Sequence, residues 1–234
     1  MQIHQVRAKL SYKEKVGPDI RIYRFVPVGG DRFPFEFQAG QFLQIDATCG
    51  EDKTARRAFS ISSSPAVTEY VEFVVRAVPN GVCSGVLETA EEGLEVDLHG
   101  PFGRFTLQET DRDKAFIAAG TGIGPIASMI RTLKAHNSDA SQTLLYGVRH
   151  HVDRAYTEEL KAWAGEEQHT YVPFVSQDEP EAGEEKGHVT NGLNRFQDDV
   201  DTTDFYICGP PEMVKETKAK LQEMGAEHIL IEAY

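Results

Sequence analysis

Cysteine and tryptophan are scarce in this chain. Its 234 residues include three cysteines and one tryptophan. Cys49, Cys83 and Cys208 are odd in number and widely spaced, which argues against a disulfide framework. They form no C-x-x-C pair, no iron–sulfur run and no zinc spacing with histidine, so the sequence predicts no metal site.

Long apolar runs are also missing. No segment reaches the roughly 18 apolar residues that a membrane-spanning helix needs. The first ten residues, MQIHQVRAKL, contain no apolar stretch of the kind found in signal peptides. We therefore expect no membrane span and a cytoplasmic protein.

Positive charge is in deficit. The formal net charge is −13 and the isoelectric point is near 5.1. Nucleic acids and anionic membranes attract basic surfaces, so this balance argues against a general binder of either. A local basic site remains compatible with it.

The first half of the chain contains short apolar segments with a period of two. Val, Ile, Phe and Tyr fill them, and Gly, Pro, Asp and Asn separate them, as in antiparallel strands. The candidate strands are 2–10, 20–28, 41–47, 58–62, 70–78 and 94–98. One helix, 82–90, follows the turn at 79–81. The pattern predicts a six-stranded antiparallel Greek-key β-barrel domain over residues 1–107.

From about residue 114 strands alternate with helices. The candidate strands are 115–119, 142–148, 169–175, 205–208 and 229–231. The candidate helices are 123–135, 153–163 and 210–224. This alternation predicts an α/β domain with a doubly wound parallel sheet over residues 108–234.

A glycine-rich run, AAGTGIGP at 118–125, follows a strand and opens a helix. Glycines allow the backbone to approach a pyrophosphate, and the start of a helix offers unpaired N–H groups. Alone, the run is a modest signal, and the less favoured alternative is an ordinary strand–helix turn.

Two shorter motifs contain residues that can bind a ligand or take part in catalysis. In RAFS, Arg57 can pair with a phosphate, Phe59 can cover a flat ring, and Ser60 can donate to a ring nitrogen. Taken alone, these four residues are better explained as an amphipathic strand with an exposed arginine. In CGPPEM, Cys208 lies at the carboxyl end of a strand, where parallel sheets bind ligands, although a buried cysteine is common there.

Together and in this order, the motifs resemble those of the ferredoxin–NADP reductase superfamily over nearly the whole chain. RAFS resembles the R-x-Y-S flavin motif, with Phe59 in the place of tyrosine. GVCS at 81–84 and GPFGRF at 100–105 resemble the G-x-x-S and G-P-x-G-x-F motifs. The glycine-rich run and Cys208-Gly209-Pro210 resemble nicotinamide-binding motifs, and the final IEAY is similar to members that end in an aromatic residue.

The resemblance implies bound FAD in the first domain. Arg57 would bind its pyrophosphate, Phe59 would pack on its ring system, and Ser60 would lie near its N5 atom. The other residues expected near the flavin are Ala58, Val74, Val75, Arg76, Gly81, Val82, Cys83 and Ser84.

The resemblance implies NADH or NADPH in the second domain. The residues expected to hold it are Gly120, Thr121, Gly122, Arg149, Gly209 and Pro210. Cys208 and Glu232 would flank the nicotinamide, and Tyr234 would stack on the flavin face that the nicotinamide must reach. These three and Ser60 are the expected catalytic residues, and we expect them to converge.

The implied activity is that of a ferredoxin/flavodoxin–NAD(P) reductase-like enzyme. It would pass a hydride from NAD(P)H to FAD and then single electrons to a separate acceptor such as ferredoxin, flavodoxin or an oxygenase component. The alternatives are a free-flavin or quinone reductase and a non-catalytic flavin- or nucleotide-sensing subunit.

Two charge features bear on ligands and partners. The segment 176–179, after the third strand of the second domain, contains two acidic residues and no arginine, which favours NADH over NADPH, although Arg149 follows the second strand. An acidic redox partner would need a local basic patch. One candidate is the set of Arg21, Arg24, Arg56 and Arg57, and the other is the segment 215–220 with its lysines.

Overall fold

A computed structural model describes residues 3–49, 53–78, 81–166 and 168–234. By contacts, the chain divides into two compact units. The first unit contains Met1–Leu107 and Ala127–Asn137, and the second contains Gln108–Ile126 and Ser138–Tyr234. Pro79 and Asn80 of the predicted turn, and the side chains of Cys49 and Val82, lie outside the described residues.

Six antiparallel strands build the first unit. They are β1 (His4–Lys15), β2 (Ile20–Pro27), β3 (Phe42–Cys49), β4 (Lys53–Ser60), β5 (Val71–Arg76) and β6 (Glu95–Phe102). Their order is β4-β3-β6-β1-β2-β5, and a bridge between Ile61 and Phe73 joins the chain after β4 to β5. The sheet is therefore a nearly closed barrel, which confirms the predicted fold of this half.

The barrel encloses an apolar core because alternate strand residues face inward. Phe25, Leu43, Ile45 and Phe73 are fully buried there. Helix α1 (Val82–Thr89) packs against β3 and β4, and its Cys83 and Leu87 join the same core. The core thus fixes where α1 begins relative to β4.

Six parallel strands build the second unit. They are β7 (Asp113–Ala119), β8 (Gln142–Val148), β9 (His169–Val175), β10 (Glu185–Lys186), β11 (Thr203–Gly209) and β12 (Ile229–Ala233). Their order is β10-β9-β8-β7-β11-β12, which confirms a doubly wound parallel sheet. The direction of winding reverses between β7 and β11, and ligands bind outside the carboxyl ends of strands at such a point.

Three α-helices connect these strands: α2 (Ile123–Ala135), α3 (Thr157–Ala164) and α4 (Pro211–Glu223). In the part of the chain that the structure describes, no helix is both long and apolar enough to cross a membrane.

Helix α3 begins at Thr157, whereas the sequence predicted a start at residue 153. Asp153 is buried in a short 3-10 helix, His151–Asp153, and Tyr156 has a φ of +62°, so the backbone turns before α3 begins. The strand β10 and the 3-10 helix Val189–Phe196 were not predicted. A two-residue strand is too short to show a period of two.

Candidate functional site

Two adjacent arginines on β4 differ in what their guanidinium groups contact. Arg56 binds the Asp46 carboxylate through Nε at 2.6 Å and Nη2 at 2.7 Å. Arg57 is exposed, and its Nη1 donates to the Arg56 carbonyl oxygen at 2.8 Å. Among the residues described, Arg57 has no carboxylate partner. Its charge is therefore available to an anion.

The start of α1 lies close enough to Arg57 for their charges to interact. Burial raises the pKa of the Cys83 thiol to about 11, and the positive charge of Arg57 opposes that rise. A Cβ on Gly81 would lie 2.5 Å from Ser84 Oγ and 3.0 Å from the Val78 carbonyl oxygen, so a larger residue would displace the Ser84 hydroxyl. Bare backbone, a helix N-terminus and a guanidinium form a setting that suits a phosphate group.

The Ser84 hydroxyl has a structural partner in this turn. Its Oγ accepts a hydrogen bond from the Val78 N–H at 3.1 Å. This contact holds the chain before α1 in place. A direct contact from Ser84 to phosphate stays a prediction.

The remaining flavin candidates lie on β4 and β5. Phe59 is half-buried, and its ring meets Phe73 edge-on at a centroid distance of 6.4 Å. Val74 and Val75 are buried, whereas Arg76 forms an ion pair with Asp19 at 2.7 Å. Ala58 is exposed and Ser60 is half-buried.

In the second unit, the glycine turn (Gly120–Gly122) closely approaches the end of β11. A Cβ on Gly122 would lie 2.3 Å from the Cys208 carbonyl oxygen. A Cβ on Gly209 would lie 2.3 Å from Met213 Cε and 3.2 Å from Ala119 Cβ. The glycine turn after β7 and the end of β11 come this close because Gly122 and Gly209 lack side chains. The result is bare backbone at the start of α2, which suits a pyrophosphate.

Cys208 and Glu232 are opposite each other in the register of β11 and β12. Burial, with a contribution from the Glu232 charge, raises the pKa of the Cys208 thiol well above its usual value. Cys208 is therefore a neutral thiol at the end of β11, a group that can line a nicotinamide site but is a poor nucleophile.

Tyr234 lies on the glycine turn. Its hydroxyl donates to the Ala119 carbonyl oxygen at 2.7 Å and accepts from the Gly122 N–H at 3.2 Å. The structure thus brings together most of the residues predicted for the dinucleotide: Gly120, Thr121, Gly122, Cys208, Gly209, Glu232 and Tyr234. Pro210 is exposed at the start of α4. The convergence of this group with Ser60 stays a prediction.

The second unit also contains a functional candidate that motif reasoning missed. Tyr146 is buried on β8, and its hydroxyl donates to the Gly120 carbonyl oxygen at 3.2 Å. The Tyr146 hydroxyl oxygen in turn accepts from the Ala155 N–H at 3.3 Å. The sequence signal for it was a tyrosine that follows two leucines in β8.

The ends of β8 and β9 form a second polar cluster. The Asp178 carboxylate contacts His150 Nδ1 at 2.8 Å and accepts from the His151 N–H at 2.9 Å. The His150 hydrogen bond, followed by the His151 N–H, holds the pKa of Asp178 below its usual value. Arg149 is exposed beside this carboxylate-bearing loop, and its carbonyl oxygen accepts from the Gln177 N–H at 2.9 Å.

Beyond Asp178, ligand-type atoms of His151, Glu181 and Glu184 lie within 4.8 Å of one another. The Glu184 carboxylate forms an ion pair with Arg154, and its Oε2 lies 3.0 Å from His151 Nδ1, so contacts within the protein already engage this carboxylate. The absence of a resident metal stays a prediction.

Comparison with known proteins matches two family profiles to successive parts of the chain. A family profile described as an oxidoreductase FAD-binding domain matches residues 7–107, and one described as an oxidoreductase NAD-binding domain matches residues 116–219. Most of the residues predicted for the two ligands fall within these matched ranges, whereas Glu232 and Tyr234 lie beyond residue 219.

Two curated relatives show the same similarity over most of the chain. The chain is 30% identical over 231 residues to the reductase component of propane 2-monooxygenase from Rhodococcus jostii (strain RHA1), covering 95% of this chain and 61% of the relative. It is 32% identical over 193 residues to the electron transfer component of toluate 1,2-dioxygenase from Pseudomonas putida, covering 82% and 56%. The chain thus spans about 60% of the length of these relatives.

Among solved structures, the FAD/NAD-binding domain of a nitric oxide dioxygenase from Vibrio cholerae O1 biovar El Tor has a TM-score of 0.90 to this chain. The two are 21% identical, and the match covers 98% of each. At that identity the likeness shows the fold alone.

Proposed function

We propose that this chain, which belongs to the ferredoxin–NADP reductase superfamily, is a flavin-dependent NAD(P)H reductase. It would deliver electrons to a separate redox protein. FAD, when bound, takes up a hydride from the nicotinamide and can release electrons one at a time. The observation that carries the proposal is the guanidinium of Arg57, which has no carboxylate partner among the described residues and influences the pKa of Cys83 in α1. The other unit has a glycine turn of the dinucleotide type.

The residues of the chain would bind and orient the two ligands. We expect Arg57 and the backbone before α1 to hold the flavin pyrophosphate, and the glycine turn to hold that of the dinucleotide. Cys208 would line the nicotinamide site as a neutral thiol, because its pKa is raised. Phe59 preserves an aromatic surface for the flavin without a phenolic hydroxyl.

The acceptor that we propose is an oxygenase component. Two relatives are named as the reductase or electron transfer component of an oxygenase. Docking of an acidic acceptor on the predicted arginine patch is disfavoured, because three of its members already have acidic partners: Arg21 binds Glu88, Arg24 binds Glu72 and Arg56 binds Asp46. We therefore assign Arg57 to the flavin.

The test is reduction of a one-electron acceptor by NADH through the FAD-loaded protein. We expect steady reduction of ferricyanide or cytochrome c that depends on bound FAD. Activity that required added free flavin in excess over protein would instead favour a free-flavin reductase. Absence of any acceptor reduction by a flavin-loaded protein would favour a sensing subunit.

Asp178 provides a prediction about dinucleotide preference. Its carboxylate is fixed at the ends of β8 and β9, where a ribose of the dinucleotide would lie in this fold, and it would repel a 2′-phosphate. We expect the protein to prefer NADH. We expect Asp178→Asn to raise kcat/KM for NADPH about tenfold, roughly 1.4 kcal/mol, and to change that for NADH little.

Glu181→Gln is the matched control, because it removes one negative charge from the same loop without touching Asp178. The measurement is steady-state kcat/KM for NADH and for NADPH in both variants. An equal gain for NADPH in both variants would show that net charge, and not Asp178, sets the preference.

We also propose that the protein works in the cytoplasm. Cys83 and Cys208 are both buried free thiols, a state that a reducing compartment maintains. Recovery of the native protein from a secreted fraction would contradict this placement.

A further inference from the structure

Tyr146 connects two segments of the second unit through one buried hydroxyl. Its Oη donates to the Gly120 carbonyl oxygen at 3.2 Å and accepts from the Ala155 N–H at 3.3 Å. In the register of β7 and β8, Tyr146 lies opposite Ala118, which is two residues before Gly120. The tyrosine side chain is fully buried, so it contacts the glycine turn from inside the fold.

The proton of this hydroxyl has a defined direction. A hydroxyl has one proton to donate and can also accept, whereas a backbone N–H can only donate. Because the Ala155 N–H donates to the Tyr146 oxygen, the hydroxyl proton is directed to the Gly120 carbonyl oxygen. Burial raises the pKa of Tyr146 well above its ordinary value, so the hydroxyl keeps its proton at neutral pH.

The orientation of the Gly120 carbonyl group determines where the next N–H group points. The peptide between Gly120 and Thr121 is trans. A trans peptide is planar, and its C=O and N–H groups point in opposite directions. Because the Gly120 C=O points to the buried Tyr146 hydroxyl, the Thr121 N–H points away from the interior. Gly120 and Thr121 are only half-buried, so a ligand can reach this side of the turn.

We propose that Tyr146 is a positioning residue of the dinucleotide site, whose hydroxyl holds the Gly120–Thr121 peptide so that the Thr121 N–H donates to a pyrophosphate oxygen. The first N–H groups of a helical segment have no partner within it, and phosphate oxygens accept from such groups. This inference rests on the proposed function, because it assumes that the glycine turn receives a dinucleotide. Tyr146 acts through the peptide and needs no contact with the ligand.

Tyr146→Phe tests the proposal, because it removes the hydroxyl and keeps the buried ring. The probes are ADP-ribose, which contains a pyrophosphate, and adenosine, which contains no phosphate. We expect the variant to bind ADP-ribose about two- to tenfold more weakly than the parent protein, the net effect of one hydrogen bond, and to bind adenosine equally well. Isothermal titration calorimetry on the FAD-loaded protein measures both dissociation constants. Their ratio is the readout, because a general loosening of the unit would weaken the binding of both probes.

Tyr171→Phe is the matched control, because it removes another buried tyrosine hydroxyl, from the neighbouring strand β9. Among the described residues, Tyr171 Oη has no hydrogen-bond partner. We expect this variant to bind both probes as the parent protein does. An equal loss of ADP-ribose affinity in the two variants would show that loosening of the sheet is the cause and would overturn the proposal.

A measurement on the parent protein tests the same contact without a substitution. In a proton–nitrogen correlation spectrum, the amide signal of Thr121 should shift when ADP-ribose binds and should stay in place with adenosine. A Thr121 amide that does not shift in the ADP-ribose complex would overturn the proposal, even if Tyr146→Phe failed to fold.

Two further outcomes separate the positioning role from the proposed function. Unchanged ADP-ribose binding by Tyr146→Phe, or an equal weakening for ADP-ribose and adenosine, overturns the positioning role while the proposed function stands. A parent protein that binds neither ADP-ribose nor NADH contradicts the proposed function itself.

Discussion

Replacing Arg57 by alanine is expected to yield a protein that loses its FAD on purification. The Arg57 guanidinium has no carboxylate partner among the described residues and lies beside the glycine-bearing turn before α1. Charged hydrogen bonds to a ligand contribute about 1.5–3 kcal/mol, so we expect FAD affinity to fall roughly 10- to 100-fold. The measurement is the dissociation constant for FAD from fluorescence quenching of the apoprotein.

The adjacent residue supplies the control. Arg56→Ala removes an equal charge from the same strand, but this guanidinium is already bound to Asp46 at 2.6 Å. We expect FAD affinity to stay within about threefold of the parent value, because an exposed ion pair contributes little. Equal losses in the two variants would mean that strand integrity or net charge, and not a phosphate contact, explains the result.

Replacing Gly122 by alanine is expected to abolish oxidation of NADH while FAD stays bound. The new Cβ would lie 2.3 Å from the Cys208 carbonyl oxygen, which belongs to backbone and cannot rotate away. The glycine turn and the end of β11 must therefore separate, and the N–H groups of the turn lose their alignment. We expect kcat/KM for NADH to fall by about 100-fold, roughly 2.7 kcal/mol.

Gly30→Ala is the control for the general effect of an added methyl group. A Cβ there would have its nearest neighbour at 3.8 Å, the Arg32 carbonyl oxygen, which is ordinary contact. We expect normal FAD content and normal kinetics. If Gly122→Ala retained the parent kcat/KM, the glycine turn would not be the dinucleotide site.

Part of this fold follows directly from the sequence. The observed bounds of α2, β8 and β9 equal the predicted ones, because each is a run of apolar residues with clear punctuation on both sides. The start of α3 could not be predicted, because a non-glycine residue with positive φ, Tyr156, leaves no local signal.

The candidate site was predictable in its motifs but not in its contacts. Arg56 and Arg57 are identical in type and adjacent, and only the pairing of β3 with β4 shows which one Asp46 neutralises. Tyr234 is 112 positions from Gly122 in the chain, so their hydrogen bond depends on the order of β7, β11 and β12 in the sheet. Contacts of this kind are set by tertiary structure and have no signature in a motif.

The central claim is that NADH reduces FAD held by this chain. The most direct test is an anaerobic titration of the FAD-loaded protein with NADH, followed by absorbance of the flavin. The account predicts that about one equivalent of NADH bleaches the flavin and that air or ferricyanide restores the colour. A flavin that stayed oxidised in excess NADH and excess NADPH would contradict it.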